Sequence, residues 1–183
     1  MHDNEMEFQR IYDTFHAKIL RYLVRLVGER EAEDLAQEVF LKVSRALDSF
    51  RGESQLSTWI YRIATNTAVD RIRALSVREG AEQAVLEDSS EPETGEDYIV
   101  QAGPSLEHQL LRKERYECYV RFVMALPVNY RTVVVLSELE DMTTQEIAEI
   151  LGLSLDVVKV RLHRGRERLL REFKIHCKPE DWL

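Results

Sequence analysis

The sequence predicts an all-α fold: two small helical domains joined by a flexible acidic linker, the second domain containing a helix-turn-helix. Apolar residues recur at helical spacing through most of the 183-residue chain. Glycine and proline are few, at 7 and 4 residues, which favours helices over a turn-rich β fold. Residues 79–97 are rich in Asp and Glu and contain no Lys or Arg, which indicates a linker between two folded parts.

The first domain, residues 1–76, is predicted to hold three helices. Gly28 is the expected stop of the first helix, and residues 50–55 break the helical periodicity before the third. Ser54 or Ser57 can cap the third helix. The helices are expected over residues 5–27, 31–47 and from one of these serines to about residue 75.

Residues 77–104 are predicted to be a flexible acidic linker. A segment with this composition and little apolar periodicity cannot bury enough surface to fold on its own. Taken alone, it is expected to be a solubilising tether. A short tail, residues 175–183, follows the second domain, and Pro179 and Trp182 disfavour continuation of the last helix there.

The second domain, residues 105–174, is predicted to open with a helix that Ser105 caps. Pro127 either ends that helix or begins the next. Residues 130–139 are apolar and rich in β-branched side chains, as in a strand. No partner strand is visible elsewhere in the sequence, so we predict a buried helix instead.

The end of the second domain has the pattern of two short helices joined by a tight turn. Thr143 or Thr144 can cap the first helix, with Glu146 placed for a capping box. Gly152 can take the positive φ that ends it, and Ser154 can cap the second helix. The residues predicted to face inward are Ile147, Ala148 and Leu151 on the first helix and Val157, Val158, Leu162 and Leu169 on the second.

The outer face of that second helix is strongly basic, although the chain has a net charge of −8. It sets one acid, Glu167, against Lys159, Arg161, Arg164, Arg166, Arg168 and Arg171. A DNA-reading helix-turn-helix needs an apolar side for packing and a basic side for DNA. The alternative on this stretch alone is an ordinary helical hairpin with a solvated basic face.

Composition disfavours several other classes of protein. No apolar run approaches the roughly 20 residues that span a bilayer, and the acidic N-terminus is unlike a signal peptide. Cys118 and Cys177 are too far apart to form a metal-ligand pair by spacing, and two lone thiols fit a reducing cytoplasm. Without a nucleophile constellation or phosphate-binding loop, we expect no enzyme, no catalytic residue, no metal and no cofactor.

Several motifs follow one another along the chain, none of them specific alone. They are Asp34-Leu-Ala-Gln-Glu-Val-Phe-Leu-Lys-Val43, Phe50-Arg-Gly-Glu-Ser54, Ser57-Thr-Trp-Ile-Tyr-Arg-Ile-Ala64, Asn66 with Asp70-Arg71, Leu126-Pro127 with Tyr130-Arg131, and the helix-turn-helix. In this order and spacing they resemble the bacterial sigma factors of the extracytoplasmic-function group, which are two-domain initiation subunits of RNA polymerase. The resemblance covers nearly the whole chain except the linker and the tail.

The resemblance implies that the second helix of the first domain docks on the clamp helices of the large polymerase subunit, and that the flap is contacted as well. The implied core-binding residues are Asp34, Gln37, Glu38, Leu41 and Arg45. A mixed polar and apolar face suits a protein interface. Without the resemblance, the same face could equally be solvated.

The loop of residues 50–55 is similar to the one that captures a flipped base of the −10 element. A glycine-containing loop allows the close backbone approach that an extruded base needs. The implied −10 residues are Arg51, Gly52, Glu53, Ser54, Gln55, Arg62, Asn66 and Arg71. Asn66 is the best candidate for reading a base edge. Trp59 can pack in the core or stack on a base, and core packing is favoured.

The second domain would read the −35 element through its helix-turn-helix. The implied contact residues are Arg131, Thr144, Gln145, Lys159, Arg161, His163, Arg164 and Arg166. Two positions depart from the family pattern. Val160 stands where a hydroxyl is common, and Gly165 stands where alanine is usual and costs the helix up to about 1 kcal/mol. Because of these two residues, the preferred −35 sequence stays open. The mode of binding implied by the resemblance is not affected.

The resemblance therefore implies an alternative sigma factor, acting in the cytoplasm without membrane insertion and directing promoter-specific transcription initiation. Its partners would be RNA polymerase core, promoter DNA and an anti-sigma factor that holds it inactive. The acidic linker would thread the polymerase cleft and mimic nucleic acid. The main alternative is a stand-alone helix-turn-helix transcriptional regulator, which needs neither the implied core-binding face nor the 50–55 loop. A DNA-modifying or RNA-processing enzyme is a more distant one.

Overall fold

The fold is helical throughout the described part of the chain, which confirms the predicted all-α class. The computed structural model describes residues 2–78, 116 and 118–176, and the side chains of residues 5–76, 116 and 118–176. The first domain consists of α1 (His2–Val27), α2 (Glu29–Ala46), a 3-10 turn (Leu47–Ser49) and α3 (Leu56–Arg78). The second consists of α4 (118–125), α5 (Val128–Val134) with a π-helical turn (Val135–Leu139), α6 (Thr144–Leu151) and α7 (Leu155–His176).

A single residue, Gly28, joins α1 to α2. Its N–H donates to the carbonyl oxygen of Val24 at 2.9 Å, and its φ of +86° lies in the left-handed region that glycine tolerates. The predicted stop at Gly28 is thereby confirmed. Both α1 and α3 pack on α2. The largest fully buried side chains of this domain are Ile19, Tyr22, Leu23, Leu26, Leu35, Val39, Val43 and Ile60.

Tyr22 is fully buried, and its hydroxyl needs a partner inside the core. That hydroxyl lies 2.7 Å from Thr65 Oγ1, and Thr65 Oγ1 itself donates to the carbonyl oxygen of Tyr61 at 2.6 Å. Burial raises the pKa of Tyr22. The two hydroxyls therefore satisfy each other where water cannot reach, as buried polar groups usually must.

The apolar run of the second domain is helical, as predicted. Val133, Val134, Val135 and Leu136 are all fully buried. Pro127 takes the N-cap position of α5, so it begins this helix. After Val134 the backbone widens into the π turn, where the N–H of Glu140 donates to the carbonyl oxygen of Val135, five residues back, at 3.1 Å.

Helix α7 crosses α5 at Gly165. A Cβ on this buried glycine would lie 2.7 Å from Val134 Cγ2 and 3.6 Å from Tyr130 Cβ. The residue therefore permits close approach of two helices. Our interpretation of Gly165 as a departure that bears on the −35 sequence is corrected, because the residue faces α5 and not the outer surface.

The other buried residues of α7 are Val158, Leu162 and Leu169. Val157, predicted to face inward, is instead 38% exposed, because at 100° per residue it lies more than a quarter-turn from that buried stripe. The helix continues to His176, whose ring stacks on Phe122 with 5.7 Å between centroids. The predicted start of the linker is wrong by two residues, because residues 77 and 78 still belong to α3. Residues 79–104 of the predicted linker, the predicted cap Ser105 and residues 177–183 of the tail lie outside the described residues.

Candidate nucleic-acid and polymerase interfaces

The outer face of α2 combines exposed charges with one exposed leucine. Leu41 is 58% exposed, and Asp34, Gln37 and Arg45 are exposed around it. Glu38 is half-buried. Its carboxylate lies 2.9 Å from Lys42 Nζ and 3.4 Å from Arg71 on α3. The hydrogen bond from Lys42, supported by the charges of both cations, lowers the pKa of Glu38. Glu38 thus ties two helices together while still bordering the exposed face.

The loop between α2 and α3 is open to solvent. Gly52 has a φ of +71°, and no heavy atom lies within 4 Å of the position a Cβ would take. Arg51, Glu53 and Gln55 are exposed, and Ser54 is half-buried. Helix α3 begins at Leu56, so Gln55 and not a serine precedes it, and the carbonyl oxygen of Gln55 accepts from the N–H of Trp59 at 3.0 Å. The loop has the space that an extruded base requires.

Trp59 lies directly behind this loop. Its ring centroid is 5.0 Å from that of Phe50, and the half-buried indole packs against the hydrophobic core. The core-packing alternative for Trp59 therefore fits the structure. Its aromatic contact with Phe50 also fixes the loop at the point where the chain turns into α3.

Helix α3 presents the remaining predicted −10 residues in three different settings. Asn66 is exposed. The guanidinium of Arg71 is held by Glu31 at 2.8 Å and by Glu38 at 3.4 Å. Arg62 donates to the carbonyl oxygen of Glu149 on α6, through Nε at 3.0 Å and through a terminal nitrogen at 2.6 Å. Arg62 therefore contacts the second domain in this arrangement.

A carboxylate of the second domain, that of Glu140, lies between the two domains. One oxygen accepts from Arg25 on α1 at 2.5 Å, and the other accepts from the hydroxyl of Tyr61 on α3 at 2.6 Å. Arg25 also donates to the carbonyl oxygen of Leu139 at 3.0 Å and to the hydroxyl of Tyr116 at 2.5 Å. Burial, followed by the hydrogen bond to Glu140, raises the pKa of Tyr61. We call Arg25, Tyr61 and Glu140 the interdomain cluster.

Sequence reasoning missed the interdomain cluster. Its members are separated by 36 and 79 positions along the chain, and nothing in the local pattern around any of them marks a partner. The one available signal was a hydroxyl-bearing residue, Tyr61, at a core position of α3, since a buried tyrosine hydroxyl needs a hydrogen-bond partner.

Arg131, a predicted phosphate anchor for the −35 element, lies at the same boundary between the domains. Its guanidinium donates to the carbonyl oxygen of Leu126 at 3.0 and 3.2 Å and to that of Leu26, at the end of α1, at 2.6 Å. Burial lowers the pKa of Arg131. In this arrangement its donors satisfy the C-terminal carbonyls of two helices, and a phosphate would have to displace them.

The helix-turn-helix has the predicted caps. Thr143 Oγ1 accepts from the N–H of Glu146 at 3.3 Å, and Glu146 Oε2 accepts from the N–H of Thr143 at 2.8 Å, which completes the capping box. The hydroxyl of Thr143 also donates to Glu146 Oε2 at 2.7 Å. This hydrogen bond, followed by the one from the N–H of Thr143, lowers the pKa of Glu146. Gly152 ends α6 with a φ of +63°, and Ser154 Oγ accepts from the N–H of Val157 at 3.3 Å. Thr144 and Gln145 therefore form the first turn of α6.

The basic residues of α7 divide into two groups. Lys159 is exposed, and Arg161, His163 and Arg164 are partly exposed, all within the first half of the helix. Arg166 is bound to Glu138 of its own domain at 2.6 and 2.9 Å, and the guanidinium of Arg168 lies 4.6 Å from the ring centroid of Tyr130. The two groups therefore differ in setting: Lys159 and Arg161 in the first half of α7 are at least partly exposed, whereas Arg166 and Arg168 in the second half contact side chains of their own domain.

The described residues contain no group of three or more His, Cys, Asp or Glu side chains that could hold a metal ion. Among the helices of the described part, none is both long enough and apolar enough to cross a bilayer.

Comparison with known proteins accounts for both domains. The Sigma-70 region 2 family matches residues 11–77, and the Sigma-70, region 4 family matches residues 116–169. The ECF RNA polymerase sigma factor SigW of Bacillus subtilis is 36% identical over 168 residues, which cover 91% of this chain and 89% of that protein. The chain belongs to the extracytoplasmic-function family of RNA polymerase sigma factors. The sigma-E factor of Haemophilus influenzae is 32% identical to it over 162 residues, 88% of this chain and 85% of that protein.

Two solved structures share the fold of this sigma factor. One is RpoE of Bartonella quintana, determined in complex with the anti-sigma factor NepR, with a TM-score of 0.66, 19% identity, and coverage of 93% of this chain and 98% of that one. The other is CnrH in complex with the cytosolic domain of CnrY, with a TM-score of 0.59, 20% identity, and coverage of 94% and 90%. At these identities the likeness establishes the fold.

Proposed function

We propose that this sigma factor binds RNA polymerase core through the outer face of α2 and reads a promoter with its two domains. The observation that carries the proposal is the setting of Leu41: a leucine 58% exposed at the centre of a helix face bordered by Asp34, Gln37 and Arg45. An apolar anchor within a polar rim is the common anatomy of a protein interface. A stand-alone regulator that binds duplex DNA has no use for such a face.

We propose further that the 50–55 loop and α3 read the −10 element and that α6 and α7 read the −35 element. The open surroundings of Gly52 and the exposed amide of Asn66 support the first assignment. The capped start of α6 and the cations in the first half of α7 support the second, since helix N-termini and basic side chains hold phosphates. The chain acts by binding and positioning in the cytoplasm, and the polymerase carries out the chemistry.

Regulation by an anti-sigma factor is part of the same proposal. Among the solved structures similar in fold, RpoE was determined in complex with the anti-sigma factor NepR, and CnrH was determined in complex with the cytosolic domain of CnrY. In the present arrangement Arg62 and Arg131 already donate to carbonyl oxygens across the domain boundary. A partner that stabilises this arrangement would keep both side chains from DNA. The acidic linker, residues 77–104, is proposed to follow the nucleic-acid path through the polymerase cleft.

The test compares substitutions of two leucines that have the same exposed fraction but lie on different domains. Leu41→Ala removes the proposed anchor, and Leu170→Ala removes a side chain that is also 58% exposed but lies on α7. We expect Leu41→Ala to lower the affinity for sigma-free core polymerase by about tenfold, the effect of losing one well-buried leucine contact. Leu170→Ala should bind core like the native chain.

Transcription from candidate promoters with the reconstituted holoenzyme provides the second readout. If the native chain binds no core polymerase, or if both leucine variants lose the same affinity, the proposed function is wrong. Specific binding of the chain alone to a duplex operator would then favour the stand-alone regulator.

A further inference from the structure

The outer surface of α7 is not uniformly polar. Val160 is partly exposed and Val157 is 38% exposed, and neither belongs to the side chains that pack against the core of the described part. At 100° per residue, Val160 lies almost opposite the buried stripe of Val158 and Leu162. Val157 lies one turn before it. The helix therefore carries a small apolar patch in the middle of its basic face.

This patch lies among the side chains proposed to face DNA. Lys159 and Arg161 flank Val160 in the sequence, and His163 follows one turn later on the same side. The charges of Lys159 and Arg161 attract a duplex and hold its phosphates, but phosphates do not bind a valine. An apolar side chain brought against DNA by its neighbours needs an apolar group on the DNA as its partner.

The major groove offers one such group on a base edge, the 5-methyl of thymine. Cytosine, adenine and guanine present hydrogen-bonding atoms there, which a valine can only desolvate. Because valine is β-branched, it has few side-chain rotamers and presents its two methyls in a fixed direction. A partly exposed valine on a recognition helix is thus suited to distinguish thymine from the other bases.

We propose that Val160, supported by Val157, reads thymine methyl groups in the −35 element of this sigma factor's promoters. The proposal rests on the proposed function and names two specificity-determining residues for it. Val160 occupies the centre of the face and would contact the base. Val157, nearer the start of the helix, would cover the same methyl or that of the adjacent base pair.

The experiment uses holoenzyme reconstituted from the full chain and core polymerase. Promoter duplexes are first selected from a pool with a randomised upstream element, and we expect thymine to be enriched at one or two positions. Each enriched thymine is then replaced by deoxyuridine, which removes only the methyl group. Native holoenzyme should bind the deoxyuridine duplex about fourfold more weakly, the effect of losing one buried methyl contact.

The variant Val160→Ala decides which side chain is responsible. It should lose most of the preference for thymine over deoxyuridine at the position that Val160 contacts, because the remaining Cβ is too short to reach the base, and Val157→Ala in addition should abolish the rest. Val160→Thr, which keeps one methyl and adds a hydroxyl, should retain part of the discrimination. Leu170→Ala changes another exposed apolar residue, about 15 Å further along the same helix, and should retain all of it.

Two results would overturn the proposal: equal binding of thymine and deoxyuridine duplexes by native holoenzyme, or undiminished discrimination by Val160→Ala. A pull-down of core polymerase, carried out on the same samples, separates these results from failure of the proposed function. Absence of core binding in that assay would overturn the proposed function and this assignment together.

Discussion

The two proposed DNA-reading surfaces differ in which of their side chains contact the other domain. On α3, Arg62 donates to a carbonyl oxygen of α6, so part of the downstream surface is covered by the second domain. On α7, Lys159 is exposed, and the helix packs on α5 and α6 of its own domain. The upstream surface therefore keeps exposed cations on α7, although Arg131 is held at the domain boundary. The downstream surface needs the domains to move apart before Arg62 is released.

The contacts within each domain also differ in kind from those between them. The interiors are mainly apolar and hold no charged side chain among their described buried residues, whereas the interdomain cluster is a carboxylate that accepts from a guanidinium and a phenol. The side chains of Arg25 and Glu140 are 16% and 9% exposed, so the pair is shielded from water when the domains meet. Because both charges regain hydration on separation, such an interface is specific without being permanent.

The largest expected effect follows from breaking the interdomain cluster. Glu140→Ala leaves Arg25 shielded without its carboxylate, and we expect the closed arrangement to lose on the order of 3 kcal/mol. This corresponds to a change on the order of a hundredfold in the equilibrium constant between closed and separated domains, in favour of separation. Fluorescence energy transfer between labels on α2 and α7 measures the shift in the full chain.

The matched control is Glu138→Ala. Glu138 also accepts from an arginine, Arg166, at 2.6 Å, but both residues belong to the second domain. Energy transfer in this variant should match that of the native chain. If Glu140→Ala and Glu138→Ala give the same separation between the labels, the interdomain cluster does not hold the domains together.

A smaller effect should be confined to the second domain, where α7 packs on α5 at Gly165. In Gly165→Ala the new methyl would lie 2.7 Å from Val134 Cγ2, and overpacking costs about 1–3 kcal/mol against a gain of about 1 kcal/mol in helix propensity. We expect the free energy of unfolding to fall by about 1 kcal/mol, as measured by urea denaturation, although alanine is the better helix former.

A double-mutant cycle with Val134→Ala sharpens this prediction. Val134→Ala removes the methyl that Gly165→Ala would strike, so the two changes together should cost less than the sum of the single changes. Purely additive costs would contradict the contact between these positions. Core binding through α2 should be the same in all four proteins.

The smallest effect concerns the cap at the start of α6. Thr143→Ala removes the capping box and should lower the free energy of unfolding by about 1 kcal/mol at neutral pH. Glu146 has a lowered pKa in the folded chain, so its contribution is present above its unfolded pKa and is lost as the pH falls through its folded pKa. The difference between native and variant chains should therefore shrink on acidification, as measured by urea denaturation at a series of pH values.

Thr144→Ala is the control for that prediction, because Thr144 is the next residue in the chain but does not cap the helix. Its unfolding free energy should stay within a few tenths of a kcal/mol of the native value at every pH. A loss as large as that of Thr143→Ala would contradict the assignment of the cap.

Local signals in the sequence were enough for most of the helices and several of their ends, although neither predicted serine caps α3. Gly28 and Gly152 end helices because each adopts a positive φ, and Thr143 with Glu146 forms a box that its spacing predicts. Periodicity failed at Val157, where two adjacent valines could not both face the core.

The sequence could not supply the way in which the two domains meet. The bonds from Arg131 to Leu26 and from Arg62 to Glu149 join residues 105 and 87 positions apart. No periodicity or motif relates such positions, because the contacts depend on the shape of two completed domains. For the same reason the predicted roles of Arg62 and Arg131 gave no hint that both side chains contact the other domain.

The contact of Glu140 with Arg25 depends on the number of residues in the π turn of Val135–Leu139. A π turn corresponds to one residue inserted into an α-helix, and each added residue rotates the downstream chain by about 100°. Glu140 comes directly after the turn and reaches Arg25 from there. Loss of a single codon in this segment would straighten the helix and turn the carboxylate away from the first domain.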